Sequence, residues 1–238
     1  MCGAELGSHE SRATTCKKKF RPFLSIHTNR FFFSCPCEGK TVFCLSLLRE
    51  RMKLITPPIT CCYLFYSEMQ PIYKTMVQEN LVDRLVEGVP DYDSLRQLLK
   101  NLKQKGHTHT LLIMDDSREY FSQLEPLYTI ASHHLGASVI TLTQSLFSKN
   151  ESLRVLSMNS KYLICMKSVR SNRSITTLGS QLSVFDKGQV VSAFEEISRN
   201  PYGYLIIDLG NDCADHCRLR TFIFKHESLC PICFLQSK

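Results

Sequence analysis

The chain has 238 residues, 43% hydrophobic and 21% charged, with 29 Lys+Arg against 22 Asp+Glu for a formal net charge of +7. That balance excludes a disordered or fibrous chain and suffices for one large core with tails. The longest apolar runs, "TCCYLFY" (60–66) and "TLLIM" (110–114), fall far short of the ~20 residues a membrane-crossing helix needs, so no membrane partner is expected. The basic excess suits a polyanionic partner such as nucleic acid or, equally, a solvated basic surface, and composition leaves both open.

Residues 1–19 are small, polar and lysine-ended without periodicity, and read as a flexible basic tail. They carry no apolar core of the secretory type, and the last residues, "LQSK", carry no prenylation cysteine. An intracellular, reducing location is expected, with the nucleus or a virion-like particle compatible and "KKKFR" (17–21) only a short basic run. The 12 cysteines then read as thiols or metal ligands rather than a disulfide framework, and the sequons at Asn150 and Asn172 as coincidental.

From residue 20 to 225 short apolar runs alternate with helix-period segments, which predicts an α/β fold with a central, mostly parallel sheet flanked by helices. Residues 226–238 read as a C-terminal tail with a Cys-x-x-Cys pair. The run Arg30 to Ser34 is the first predicted strand. After Lys40 the residues Val42, Leu45, Leu48 and Met52 keep near-helical spacing until Pro57-Pro58. "TCCYLFY" predicts a buried parallel strand, and Pro71 opens the next helix. Residues 80–109 predict a connection containing one helix, Asp93 to Lys103. "HTLLIMDD" predicts a strand, "YFSQLEPLYTIASHH" a helix, "ASVITLTQ" and "KYLICMK" strands, "GQVVSAFEEISRN" a helix, and "GYLIIDL" and "RLRTFIF" strands.

Between the first strand and first helix stands "SCPCEGKT" (34–41). A P-loop needs a strand feeding a turn whose backbone N–H groups surround phosphates, then a helix N-terminus, with Lys on the β/γ-phosphates and Ser/Thr on Mg²⁺. Lys40 and Thr41 hold those positions, and Ser34, Cys35, Pro36, Cys37, Glu38 and Gly39 make up the rest of the loop. Ser34 replaces the pattern's first glycine, and Glu38 places a carboxylate beside the expected phosphates.

"LLIMDD" (111–116) is an apolar strand ending in paired carboxylates, the Walker B arrangement, in which Asp115 would hold Mg²⁺ and Asp116 polarise the attacking water. The alternative is a strand ending at a solvated Asp-Asp turn. Gln144 ends the next strand and would meet Lys40 and Asp115 beyond the strands' carboxyl ends if these strands are neighbours, as a γ-phosphate sensor or as a polar strand-end cap.

The run from "LEPLYTIASHHLGASVITLTQSLF" to "YLICMKSVRSNRSI", with "PYGYLIIDL" and "RLRTFIF" after it, resembles the DNA-packaging ATPases of Polinton-type elements and related large DNA viruses, within the FtsK/HerA superfamily of P-loop motors. The resemblance covers roughly residues 20–225, and departs at the loop, where family members carry a "GPSGSGKT"-like sequence. It implies ATP and Mg²⁺ as cofactors, Lys40 and Thr41 for phosphate and metal, Asp115 for metal, Asp116 as the catalytic acidic residue and Gln144 as sensor. It further implies a homo-oligomeric ring acting on double-stranded DNA with capsid or terminase-like partners. Arg154 and Arg170 are the candidates for a neighbour's charge-stabilising arginine, or for surface and DNA contacts.

Two other readings stand beside the motor. One is a domesticated or decayed copy that keeps the fold as a binding module without hydrolysis. The other is a zinc-stapled nucleic-acid binder using Cys213, Cys217, Cys230 and Cys233, whose spacing allows a tetrahedral site, or which are simply thiols. His133-His134 reads as structural, because adjacent helical residues point apart.

Overall fold

Strands buried on both faces read as near-continuous apolar runs, and the apolar side chains of these strands sort between two cores, with Ser138, Thr141 and Thr143 among the buried polar exceptions. The computed structural model of the chain describes residues 13–15, 24–25, 30–34, 39–115, 121–128, 135–144, 151–168, 172–182, 185, 187–227 and 232–234. In order these form β1 (Ala13–Thr15), β2 (Leu24–Ser25), β3 (Arg30–Ser34), α1 (Gly39–Arg49), α2 (Arg51–Leu54), β4 (Ile55–Thr56), β5 (Cys61–Tyr66), α3 (Pro71–Gln78) and β6 (Arg84–Glu87). There follow α4 (Tyr92–Gln104), β7 (Thr110–Asp115), α5 (Phe121–Pro126), β8 (Ala137–Thr143), α6 (Glu151–Met158), β9 (Tyr162–Met166), α7 (Asn172–Gln181), α8 (Lys187–Ile197), β10 (Tyr204–Asp208), β11 (Leu219–Thr221) and β12 (Ile232–Phe234).

The main sheet runs β1-β12-β11-β10-β9-β3-β8-β7-β5-β6. From β9 to β6 every pairing is parallel, and β10, β11, β12 and β1 extend the sheet antiparallel. The expected α/β class with a mostly parallel, helix-flanked sheet is the one observed. Along β7, Leu111 and Ile113 join one core while Leu112 and Met114 join the other; on β9, Ile164 and Met166 part from Leu163 and Cys165 in the same way. This is the period-2 alternation of a strand expressed as two hydrophobic layers.

Helices α1 and α3 cover the first face through Cys44, Leu47, Leu48, Tyr73 and Met76. Helices α4, α6, α7 and α8 cover the second through residues such as Leu99, Leu156, Leu178 and Phe194. Each such side chain contributes about 1.5–3 kcal/mol on full burial, so the two layers dominate stability. Pro71 sits in the first turn of α3, as expected, and Asp91 caps α4 by accepting from Ser94 N at 3.0 Å. Gly106, at φ +91°, turns the chain out of α4 toward β7.

Several expectations are corrected. The helix expected from the spacing of Val42, Leu45, Leu48 and Met52 is present as α1 and α2, but the spacing does not mark the buried side: Val42 and Met52 are exposed, while Phe43, Cys44 and Leu47 are buried beside Leu45 and Leu48. Helix α1 is covered on most sides, so its hydrophobicity has little periodicity to read. The connection 80–109 holds β6, a short edge strand too polar to stand out, in addition to α4. Residues 13–15 of the expected tail pair with β12, which itself lies in the expected C-terminal tail; both segments are three residues long, too short to show alternation. Helices α6 and α7 had no counterpart in the sequence reading. Of the predicted helix 120–134, α5 and the turn to residue 128 are described, and His133-His134 lie outside the described residues. Among the described residues no helix is long and apolar enough to cross a membrane.

Candidate active site

In an open parallel sheet the place to look is where neighbouring strands send their connections to opposite faces. Strand β3 leaves through α1 on the first face, and β8 leaves toward α6 on the second. The crevice therefore opens between the carboxyl ends of β3 and β8. Register fixes what stands there: Ser34 aligns with Thr143, and Leu142 aligns with Asp115 on the next strand.

Lys40 and Thr41, in the first turn of α1, are 8% and 7% exposed, and Asp115 at the end of β7 is 2% exposed. Thr41 Oγ1 donates to Asp115 Oδ2 at 3.0 Å across 74 residues of sequence. A buried carboxylate beside a helix N-terminus is favoured by the macrodipole and by this charge-assisted bond. The two sequence motifs, "GKT" and "LLIMDD", are thus one physical site.

The hydroxyl geometry suits a hard cation. Asp115 takes the Thr41 proton, which directs the oxygen's lone pairs away from the carboxylate. Thr41 Oγ1 directly and Asp115 through water therefore fit Mg²⁺, where the ion would neutralise phosphate charge.

Tyr73, which sequence reasoning missed, donates its hydroxyl to the same Asp115 Oδ2 at 2.9 Å. Its ring is buried against Tyr66, with centroids 5.5 Å apart. The available signal was a tyrosine three positions before Met76 on the buried face of a helix whose other buried contacts are apolar. Cys44, one turn into α1, also borders the carboxylate: burial first, and the charge of Asp115 second, push its thiol well above the ordinary value. Cys44 is a packed thiol rather than a nucleophile.

Gly39 opens α1 hard against β9, where an added Cβ would stand 3.0 Å from Met166 Cε. Gln144 follows β8 directly and is exposed. Arg154 is exposed on α6, the helix covering the opposite face, and is not among the groups gathered around Asp115. Cys35, Pro36, Cys37, Glu38, Asp116 and Arg170 lie outside the described residues, as does Cys230. Cys213 and Cys217 are half-buried and Cys233 is buried in β12; among the described residues no three His, Cys, Asp or Glu side chains are grouped to hold a metal ion.

No protein-family model matches the chain, and no curated protein does. Among solved structures it is similar to the cytoplasmic domain of the Thermomonospora curvata type VII secretion ATPase EccC, at 11% identity and TM-score 0.49 over 88% of this chain and 25% of that one. It is also similar to the cytoplasmic domain of EssC, at 13% identity and TM-score 0.41 over 63% of this chain and 33% of that one. The flagellar accessory protein FlaH from Methanocaldococcus jannaschii matches at 10% identity and TM-score 0.40 over 59% of this chain and 72% of that one. The chain thus spans a third or less of the EccC and EssC chains' length.

Proposed function

We propose that the chain binds MgATP at the crevice between β3 and β8 and hydrolyses it as a motor of the DNA-packaging or translocating type acting on double-stranded DNA. The observation that carries this reading is the 3.0 Å bond between Thr41 and Asp115, which joins a strand-loop-helix GKT to a strand-end carboxylate. In this reading Lys40 contacts the β/γ-phosphates, Asp116 polarises the attacking water and Gln144 senses the γ-phosphate. Arg154, exposed on α6, and Arg170 are candidates to serve a neighbouring subunit's site in a homo-oligomeric ring. The net charge of +7 supports contact with DNA phosphates, which is sequence-tolerant and salt-sensitive.

The second reading, a binding module without hydrolysis, is favoured by Ser34 at the position of the loop's first glycine and by Glu38 beside the phosphates. One experiment separates the two: MgATP turnover with and without DNA for the native chain, Lys40→Ala, and the double change Ser34→Gly/Glu38→Gly. Turnover abolished by Lys40→Ala supports the motor. Turnover absent natively and restored by the double change establishes the inactive module, and turnover indifferent to Lys40→Ala overturns the site.

A further inference from the structure

A cavity of about 510 Å³ opens along the exposed flank of α1, between that helix and the segments before β10 and after β11. Small-molecule sites commonly enclose ~300–1,000 Å³. It starts where the phosphate loop ends: Gly39 and Val42 line it, which explains why Val42 stays 56% exposed on an otherwise covered helix. The opposite wall is aromatic. Tyr202 and Phe222 both line it and both hold positive φ, +58° and +51°, a region that residues with side chains seldom occupy and that gathers at functional sites. Behind them the rings of Phe224 and His226 lie parallel, 4° apart in plane with centroids at 5.6 Å.

One carboxylate stands among these rings. Glu227 Oε2 accepts from the Tyr204 hydroxyl at 2.5 Å and from Phe224 N at 3.2 Å. Both bonds fall on that oxygen, so among the described residues Oε1 is left for another donor. The arrangement is fixed from behind, because the Tyr204 hydroxyl itself accepts from Ile223 N at 2.8 Å. Glu227 lines the cavity and is itself exposed, so a ligand donor can reach Oε1.

We propose that this cavity is the nucleobase subsite of the phosphate loop, taking adenine against the Tyr202 and Phe222 wall with its 6-amino group donated to Glu227 Oε1. The inference rests on the nucleotide-binding reading above and adds to it the base and the residue that selects it. Aromatic walls suit any base, because every base has a π-face. Among the described residues, selection comes from Glu227 Oε1. Adenine presents one amino donor to it, whereas guanine, with two adjacent donors, pairs best with both oxygens of a carboxylate, and Oε2 is already committed. Pyrimidines offer less area to stack in a cavity of this size. The approach of Met166 to Gly39 marks the passage between phosphate and base, where a side chain at position 39 would intrude.

The test is calorimetric binding in Mg²⁺ of three probes, inorganic tripolyphosphate, ATP, and purine riboside triphosphate, which lacks only the 6-amino group. The probes are applied to the native chain and to Tyr202→Ala, Ser46→Trp and Glu227→Gln. Ser46 lines the cavity, so a tryptophan there fills it without touching Lys40 or Thr41. The expected result is ATP binding about tenfold tighter than purine riboside triphosphate, as loss of a hydrogen bond to a charged group implies. Tyr202→Ala should weaken ATP about tenfold and Ser46→Trp more, both with tripolyphosphate unchanged. Glu227→Gln should shrink the preference for the amino group. Tripolyphosphate and ATP binding equally overturns the base subsite while leaving the phosphate loop intact, as does ATP binding indifferent to Tyr202→Ala and Ser46→Trp. Equal affinity for ATP and purine riboside triphosphate overturns the role of Glu227. Binding of none of the probes overturns the nucleotide reading itself.

Discussion

The Tyr73 hydroxyl donates to Asp115 Oδ2 at 2.9 Å, on the oxygen that also takes the Thr41 proton. Helix α3 is thereby tied to the end of β7, and the carboxylate is oriented from two directions. Tyr73→Phe removes one charge-assisted bond and keeps a ring that is 1% exposed, so the packing is preserved. The expected loss is about 1–2 kcal/mol, read as a fall of a few degrees in thermal midpoint, with a higher Mg²⁺ requirement for nucleotide binding. An unchanged midpoint and Mg²⁺ titration would show that the Tyr73 hydroxyl does not position Asp115.

The loop between α8 and β10, which carries Tyr202 to the cavity, depends on Gly203. A Cβ there would stand 2.1 Å from the Ile197 carbonyl oxygen and 3.3 Å from that of Asn200, both backbone atoms that cannot rotate away. The Gly203 carbonyl meanwhile accepts from Lys167 N at 2.7 Å, holding the loop to the end of β9. Gly203→Ala should destabilise the chain by about 1–3 kcal/mol in urea denaturation. Gly188→Ala, at a helical position with open space around it, serves as the control and should be neutral or stabilising by up to about 1 kcal/mol. Equal effects of the two changes would remove the steric explanation.

Most of the parallel sheet was legible because a strand buried on both faces tends to be a short, largely apolar run, as in "LLIM" of β7 and "YLICM" of β9. The approach of Thr41 to Asp115 was legible because "GKT" after a strand and an apolar strand ending in carboxylates are paired sequence patterns. What escaped was set by distant partners. Strand β1 exists through its pairing with β12, and β6 through its pairing with β5, information that no local window contains. Tyr73 reads locally as an ordinary core aromatic, and its role lies in one hydroxyl. The aromatic cavity joins α1 to residues more than 150 positions later in the sequence, and the helical spacing of Val42 does not reveal that it faces this cavity.

Cys213 offers a chemical check on the C-terminal cysteines. Burial first, and the nearby Asp208 carboxylate second, push its thiol up to about 12 from an ordinary 9.0, against a smaller opposing pull from Arg220. A raised thiol value disfavours the thiolate in the folded state. Its stabilising contribution is thus complete below pH 9 and is lost as pH rises toward 12. Alkylation of Cys213 by iodoacetamide, followed by mass spectrometry of the modified peptide, should be at least tenfold slower at pH 8.5 than for the unfolded chain in urea. Rapid labelling of the folded chain would place a thiolate there, and protection lifted only by a chelator would point to the zinc reading.

The same corner holds an ion pair that separates packing from electrostatics. Asp208, at the end of β10, accepts from Arg220 of β11 in a bond with both side chains 6% exposed, and its other oxygen accepts from Gly210 N at 2.9 Å. The guanidinium also lies 6.0 Å from the Tyr162 ring centroid, adding a cation–π contact. Two buried charges are costly to desolvate, so the pair's net stabilisation is small, but removing one partner strands the other. Arg220→Met should therefore cost about 3–5 kcal/mol, and adding Asp208→Leu should recover a substantial part of that loss. A double-mutant cycle in urea measures the coupling directly. Additive losses would show that the two residues act independently and that the β10–β11 junction is held by its apolar layer alone.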